Sequence, residues 1–269
     1  MQTMPLRLMT APASTLHLAR LSPPREQVRV QMLCLPPNAG GFFSFLPWLK
    51  TPSSLQPLLP ADFELWGVQL DWTADWHYDG LVSALTDALE TQRTDAPLVL
   101  CGASLGALLA FGVARELRRR QAKAPLDLVV IAMCAPQHYQ PPAAWDAWQL
   151  SEWRSHLRRE GGTPEEVLAT PARLAQLVAQ LRGGLSIAQD FTYSPEAPFA
   201  FPLATFAGER DQLYPPVTLA GWQEQTTSTC TAFCYPEAGH LALLQVPAIR
   251  TSMLVDMVAT VKRWVEVAA

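Results

Sequence analysis

From about residue 28 onward, apolar residues gather into short runs whose spacing predicts the secondary structure. Residues 28–35 and 63–70 are strand-like stretches, and residues 98–101 form a short, continuously apolar run. Residues 79–91 instead place Leu81, Val82, Leu85 and Leu89 on one face of a helix. A second helix is predicted from about Leu105 to Arg120, closed off by Pro125, and residues 126–133 make another buried strand. Fully apolar strands alternating with helices predict a mostly parallel sheet flanked by helices, because parallel neighbours need crossover connections that cover both faces.

That rhythm breaks between about residues 137 and 201. Trp145, Trp148 and Trp153 are assigned to one helix and residues 165–181 to another, with Gly161, Gly162 and Pro164 between them. Sheet-like runs return at residues 203–207 and 231–235. Residues 248–265 form the closing helix, with Ile249, Met253, Met257 and Val261 at helical intervals. The expected layout is an N-terminal extension over residues 1–27, rich in Pro, Ser and Thr and of open conformation. An α/β core follows over residues 28–136 and 202–269, and residues 137–201 are inserted as a helical lid.

Composition narrows the class. At 269 residues the chain is long enough for one large core, and 49% hydrophobic against 16% charged residues suits a globular protein rather than a disordered one. A net charge of -4 gives no electrostatic reason to expect a nucleic-acid partner. The basic group Arg115, Arg118, Arg119 and Arg120 falls at the end of a predicted helix, where cations complement the helix dipole. Cys34, Cys101, Cys134, Cys230 and Cys234 are odd in number and sit in or beside apolar runs, so they read as reduced core residues. No apolar run approaches the roughly 20 residues that span a bilayer. Arg7 and Thr10 interrupt what precedes Ala11-Pro12-Ala13, so no leader is read there. The expected setting is cytoplasmic, away from membranes.

The chemistry concentrates at Gly102-Ala103-Ser104-Leu105-Gly106, a G-x-S-x-G sequence between a strand and a helix. In that context the pattern is a nucleophile elbow: a sharp turn holds the serine in a strained conformation, and its neighbours two positions away must be small. The helix behind Ser104 directs backbone N–H groups at a developing oxyanion. A serine needs a base, and the base an orienting acid, in the chain order Ser, acid, His on this fold. His240 follows the last strand and a glycine turn. Asp211 follows the preceding strand and is preferred as the acid, although Asp190 and Glu209 also fall in the interval. The first strand ends in Pro36-Pro37-Asn38-Ala39-Gly40-Gly41, whose small residues let backbone approach the reacting carbonyl. The oxyanion donors are then the backbone N–H groups of Ala39 and Leu105.

Taken together, these segments resemble the type II thioesterases that accompany nonribosomal peptide and polyketide synthases, members of the α/β-hydrolase superfamily. Asn38-Ala39-Gly40-Gly41 is similar to the family's early Ala-Gly-Gly loop, and Gly102 through Ala107 to its Gly-His-Ser-Met-Gly-Ala elbow. Cys134-Ala135-Pro136, Gly161-Gly162-Thr163-Pro164-Glu165, Gly208 through Asp211 and Gly239-His240 follow in the family's order. The resemblance implies an α/β-hydrolase fold with a triad on Ser104, Asp211 and His240. It implies hydrolysis of acyl thioesters on phosphopantetheine arms, with no metal or organic cofactor. The partners implied are acyl or peptidyl carrier protein domains, met by a monomer. Ala103 in place of the usual histidine, Val68-Gln69-Leu70-Asp71 in place of Pro-Gly-Arg, and Leu181-Arg182-Gly183-Gly184 in place of Leu-Arg-Ala-Asp depart from the pattern and bear on substrate preference. An acyltransferase or cyclase, a small-ester hydrolase and a non-catalytic binding protein are the alternatives on the same fold.

Overall fold

The computed structural model describes residues 15–24, 27–49, 58–141 and 145–268. Its centre is a sheet of β1 (Leu16–Arg20), β2 (Val30–Leu35), β3 (Phe63–Leu70), β4 (Leu98–Ala103), β5 (Asp127–Ile131), β6 (Leu203–Gly208) and β7 (Cys230–Tyr235). The strands lie in the order β1-β3-β2-β4-β5-β6-β7. All neighbours are parallel except β1, which runs antiparallel along β3 from Leu16 opposite Leu70 to Arg20 opposite Trp66. This is the predicted α/β-hydrolase arrangement.

Period-two alternation sorts each central strand between two cores. Leu33, Leu35, Leu98, Leu100, Leu128 and Val130 face α1 (Tyr78–Gln92) and α2 (Leu105–Arg119). Met32, Cys34, Val99, Cys101, Val129 and Ile131 share the other core with Met253, Leu254, Met257 and Val261 of α7 (Pro247–Ala268), which follows the short α6 (Ala242–Gln245). Leu81, Val82, Leu85 and Leu89 are buried as their spacing predicts.

Several readings need correction. β1 falls within the part of the chain given no assignment; residues 1–14, including Ala11-Pro12-Ala13, lie outside the described residues. The three tryptophans do not share a helix. Trp145 stands in a short 3-10 turn, whereas Trp153 lies in α3 (Leu150–Glu160). A capping box explains the late start: the Gln149 N–H donates to the Glu152 carboxylate at 2.7 Å, fixing the first turn after Trp148. The following helix is two helices, α4 (Glu165–Ala169) and α5 (Pro171–Asp190). Pro171 pushes Thr170 out of the helical region (φ −98, ψ 108) and opens α5 at its first position. All five cysteines are free, but only Cys34, Cys101 and Cys134 are buried; Cys230 is partly covered and Cys234 exposed, since β7 is an edge strand. The arginines at the end of α2 do more than complement its dipole: Arg118 and Arg119 pair with Glu196, and Arg120 with Asp87, Glu90 and Glu116. Among the described residues, no helix is long and apolar enough to cross a membrane.

The strand order reverses between β2, which continues to β3 on one side, and β4 on the other. Such a switch point opens a crevice at the carboxyl ends of the strands. Leu35 pairs with Gly102 across it, so the loop leaving β2 and the turn leaving β4 are held side by side.

Candidate active site

Ser104 sits at the end of β4 with φ 51 and ψ −126, a conformation unfavourable for a residue with a side chain. Its N–H donates to the Ile131 carbonyl of β5 at 2.8 Å, and α2 begins at the next residue. The flanking glycines are dictated by space. A Cβ at Gly102 would lie 2.2 Å from the Gly106 carbonyl oxygen, and one at Gly106 would lie 2.2 Å from the Leu35 carbonyl oxygen. The G-x-S-x-G pattern is therefore a packing requirement of this turn.

Ser104, Asp211 and His240 come together from the ends of three strands. His240 Nε2 lies 2.9 Å from Ser104 Oγ, and His240 Nδ1 lies 2.8 Å from Asp211 Oδ2. The other carboxylate oxygen, Oδ1, accepts the backbone N–H groups of Leu213 and Tyr214, both at 2.9 Å. The Asp211 side chain is wholly buried and that of His240 is 9% exposed. With Oδ1 occupied by two donors, only Oδ2 is left for the imidazole, which fixes the ring. The Tyr214 ring packs 5.6 Å from that of His240, and burial pushes its hydroxyl well above the usual tyrosine range.

The competing acids are drawn elsewhere. Asp190, at the end of α5, is 2.8 Å from His77, whose imidazole it holds above the ordinary histidine range by hydrogen bonding. Glu209 is exposed, its N–H bonded to the Tyr235 carbonyl at 3.0 Å. Ala39 and Leu105 line the same cavity as Ser104 and His240.

That cavity, of about 400 Å³, is the crevice at the switch point roofed by the segment between β5 and β6. Met133 and Tyr139 line it from the end of β5, Trp145, Trp153 and Leu157 from the tryptophan cluster, and Leu177, Leu181 and Leu185 from α5. Trp148 is not part of the wall; it stacks on Trp145 with ring centroids 5.5 Å apart. Residues such as Met133, Leu177 and Tyr214 escaped the sequence reading because they resemble core residues in every local respect. Such a chamber suits an apolar chain attached to a carbonyl at Ser104.

The thioesterase domain family profile matches residues 31–254. The gramicidin S biosynthesis protein GrsT of Aneurinibacillus migulanus is 26% identical over 217 residues, 77% of this chain and 81% of its own. Thioesterase PikA5 of Streptomyces venezuelae is 27% identical over 223 residues, 82% of this chain and 78% of its own. The solved structure of the RedJ thioesterase, from the prodiginine biosynthetic pathway in Streptomyces coelicolor, covers 94% of this chain and 98% of its own with a TM-score of 0.76 at 23% identity, a likeness of fold. The profile takes in the elbow, the acid loop and the histidine loop in a single stretch over most of the chain, and this protein therefore belongs to the thioesterase domain family.

Proposed function

We propose that this thioesterase hydrolyses acyl groups from the phosphopantetheine arms of acyl or peptidyl carrier proteins, through an acyl-enzyme on Ser104. The observation that carries the reading is the Ser104–His240–Asp211 relay, with contacts of 2.9 and 2.8 Å, at the floor of an apolar chamber. His240 takes the Ser104 proton as Oγ attacks the thioester carbonyl, and Asp211 stabilises the imidazolium. The backbone N–H groups of Ala39 and Leu105 receive the oxyanion. His240 then gives its proton to the departing thiolate, and a water, deprotonated by the same imidazole, releases the acid. On this reading no metal or organic cofactor takes part, because the phosphopantetheine arm belongs to the substrate.

The relatives support the setting. GrsT is named for the biosynthesis of gramicidin S, and RedJ for that of prodiginine. A role beside a biosynthetic synthase, clearing or releasing acyl groups, follows from that kinship and from the sequence resemblance.

Two measurements test the proposal. Ser104→Ala is expected to abolish hydrolysis while leaving the fold intact, since alanine meets the elbow's space limits; near-normal turnover overturns the mechanism. One acyl group on carrier protein, on free pantetheine and on a short thiol tests the substrate. kcat/KM is expected to fall as the support is truncated, because remote binding energy positions the thioester. Equal values on all three supports refute the carrier assignment and leave the serine chemistry standing.

A further inference from the structure

The loop of residues 36–41 carries the N–H of Ala39, and Ala39 itself stands at φ 58. A residue with a Cβ holds that left-handed conformation only where its surroundings enforce it. Two side-chain donors grip the loop on either side of Ala39. The Asn38 amide N–H donates to the Leu181 carbonyl of α5 at 2.9 Å, and the Trp72 indole N–H donates to the Gly40 carbonyl at 2.7 Å.

Both grips lead to the same step of α5. A Cβ on Gly183 would come within 1.6 Å of the Trp72 carbonyl oxygen, and one on Gly184 within 1.9 Å of Asn38 Oδ1 and 3.0 Å of the Trp72 indole. Among the described residues, Asn38 Oδ1 is buried there without a hydrogen-bond partner, so close packing on the helix outweighs an unpaired acceptor. Trp72 is 1% exposed. The same helix walls the chamber through Leu177, Leu181 and Leu185, so the element that shapes the acyl site also seats the oxyanion loop.

We propose that Asn38 and Trp72 are positioning residues that lock the oxyanion loop onto the Gly183–Gly184 step of α5, fixing the Ala39 N–H for the tetrahedral intermediate. The inference rests on the acyl-enzyme reading above. An oxyanion donor acts only within a few tenths of an ångström of its place, and it favours the charged intermediate far more than the neutral thioester. Loosening the loop therefore lowers kcat and leaves KM nearly unchanged.

The test reads kcat, KM and the affinity of an alkylboronic acid, whose tetrahedral adduct on a serine mimics the intermediate. Asn38→Ala and Trp72→Phe are each expected to lower kcat about 10- to 100-fold. They should leave KM for an acyl pantetheine within about threefold and weaken the boronic acid roughly in step with kcat. Gly184→Ala drives a methyl into Asn38 and should behave alike. Combined with Asn38→Ala it should add little, as two perturbations of one contact do. Asn38 is partly exposed and its variant folds most readily, so that pair carries the test if Trp72→Phe melts early. Wild-type kcat in Asn38→Ala overturns the proposal, as does a kcat loss without loss of boronic acid affinity. An inactive Ser104→Ala beside a fully active Asn38→Ala refutes this inference alone, whereas an active Ser104→Ala removes the mechanism beneath it.

Discussion

Asp211→Asn removes one charge and exchanges one oxygen for an amide, and the structure determines which way that amide points. Oδ1 accepts two backbone N–H groups, from Leu213 and Tyr214 at 2.9 Å, and an NH2 group placed there would confront two donors. The asparagine carbonyl must occupy that position, which turns the NH2 toward His240 Nδ1, 2.8 Å away in the wild type. Nδ1 then has to accept, the ring proton moves to Nε2, and the nitrogen 2.9 Å from Ser104 Oγ no longer has a lone pair for the serine proton. A triad held in the wrong tautomer loses about 10⁴ in kcat, or about 5 kcal/mol of transition-state stabilisation. KM should change little, because the wholly buried carboxylate is out of reach of substrate. The assay is steady-state hydrolysis of an acyl pantetheine by wild type, Asp211→Asn and Asp190→Asn, with circular dichroism to verify folding. Asp190 pairs with the exposed His77, so its variant should stay within about twofold of wild type. A crippled Asp190→Asn beside an active Asp211→Asn would refute the assignment of the acid.

Two further outcomes concern Asp127 and the pair Trp145 and Trp148. Asp127 is fully buried, and burial pushes its carboxyl far above the ordinary range against a smaller opposing pull from the Leu128 backbone N–H. Because the folded-state pKa is raised, the native protein keeps the proton that the unfolded chain releases near pH 4. The contribution of Asp127 to stability is therefore fullest below that value and declines by up to about 1.4 kcal/mol per pH unit as pH rises toward the folded pKa. Urea midpoints of wild type and Asp127→Asn should converge near pH 4 and separate in the variant's favour by pH 7; parallel curves would contradict this. Trp145 lines the chamber and Trp148 stacks behind it, so Trp145→Ala should shift kcat/KM toward longer acyl chains and Trp148→Ala should not. The measurement is a chain-length series for each variant, and equal shifts would show that the cluster acts only through packing.

What could be read from residue order alone is whatever local physics dictates. Strands β2 to β6 and helices α1, α2 and α7 announce themselves because burial on both faces, or on one helical face, leaves a period in the sequence. The elbow is legible because a Cβ on Gly102 or Gly106 collides with backbone only residues away or on the adjacent strand. β1 was not legible: five residues on a sheet edge, half exposed, owe their conformation to β3 some fifty positions later. Nor was the tryptophan cluster, since Trp145, Trp148 and Trp153 meet through the fold of the segment and not through one helical face. The position of Asp211 just after a strand favours it over Asp190 in the sequence, but the contacts that set it apart exist only in the folded chain. All three precede His240, but only the packed structure delivers two backbone donors to Asp211 and hands Asp190 to His77. The contacts that hold the loop of residues 36–41, from Asn38 to Leu181 and from Trp72 to Gly40, join residues up to 143 positions apart, and no periodicity records a hydrogen bond that exists only once the chain has closed on itself.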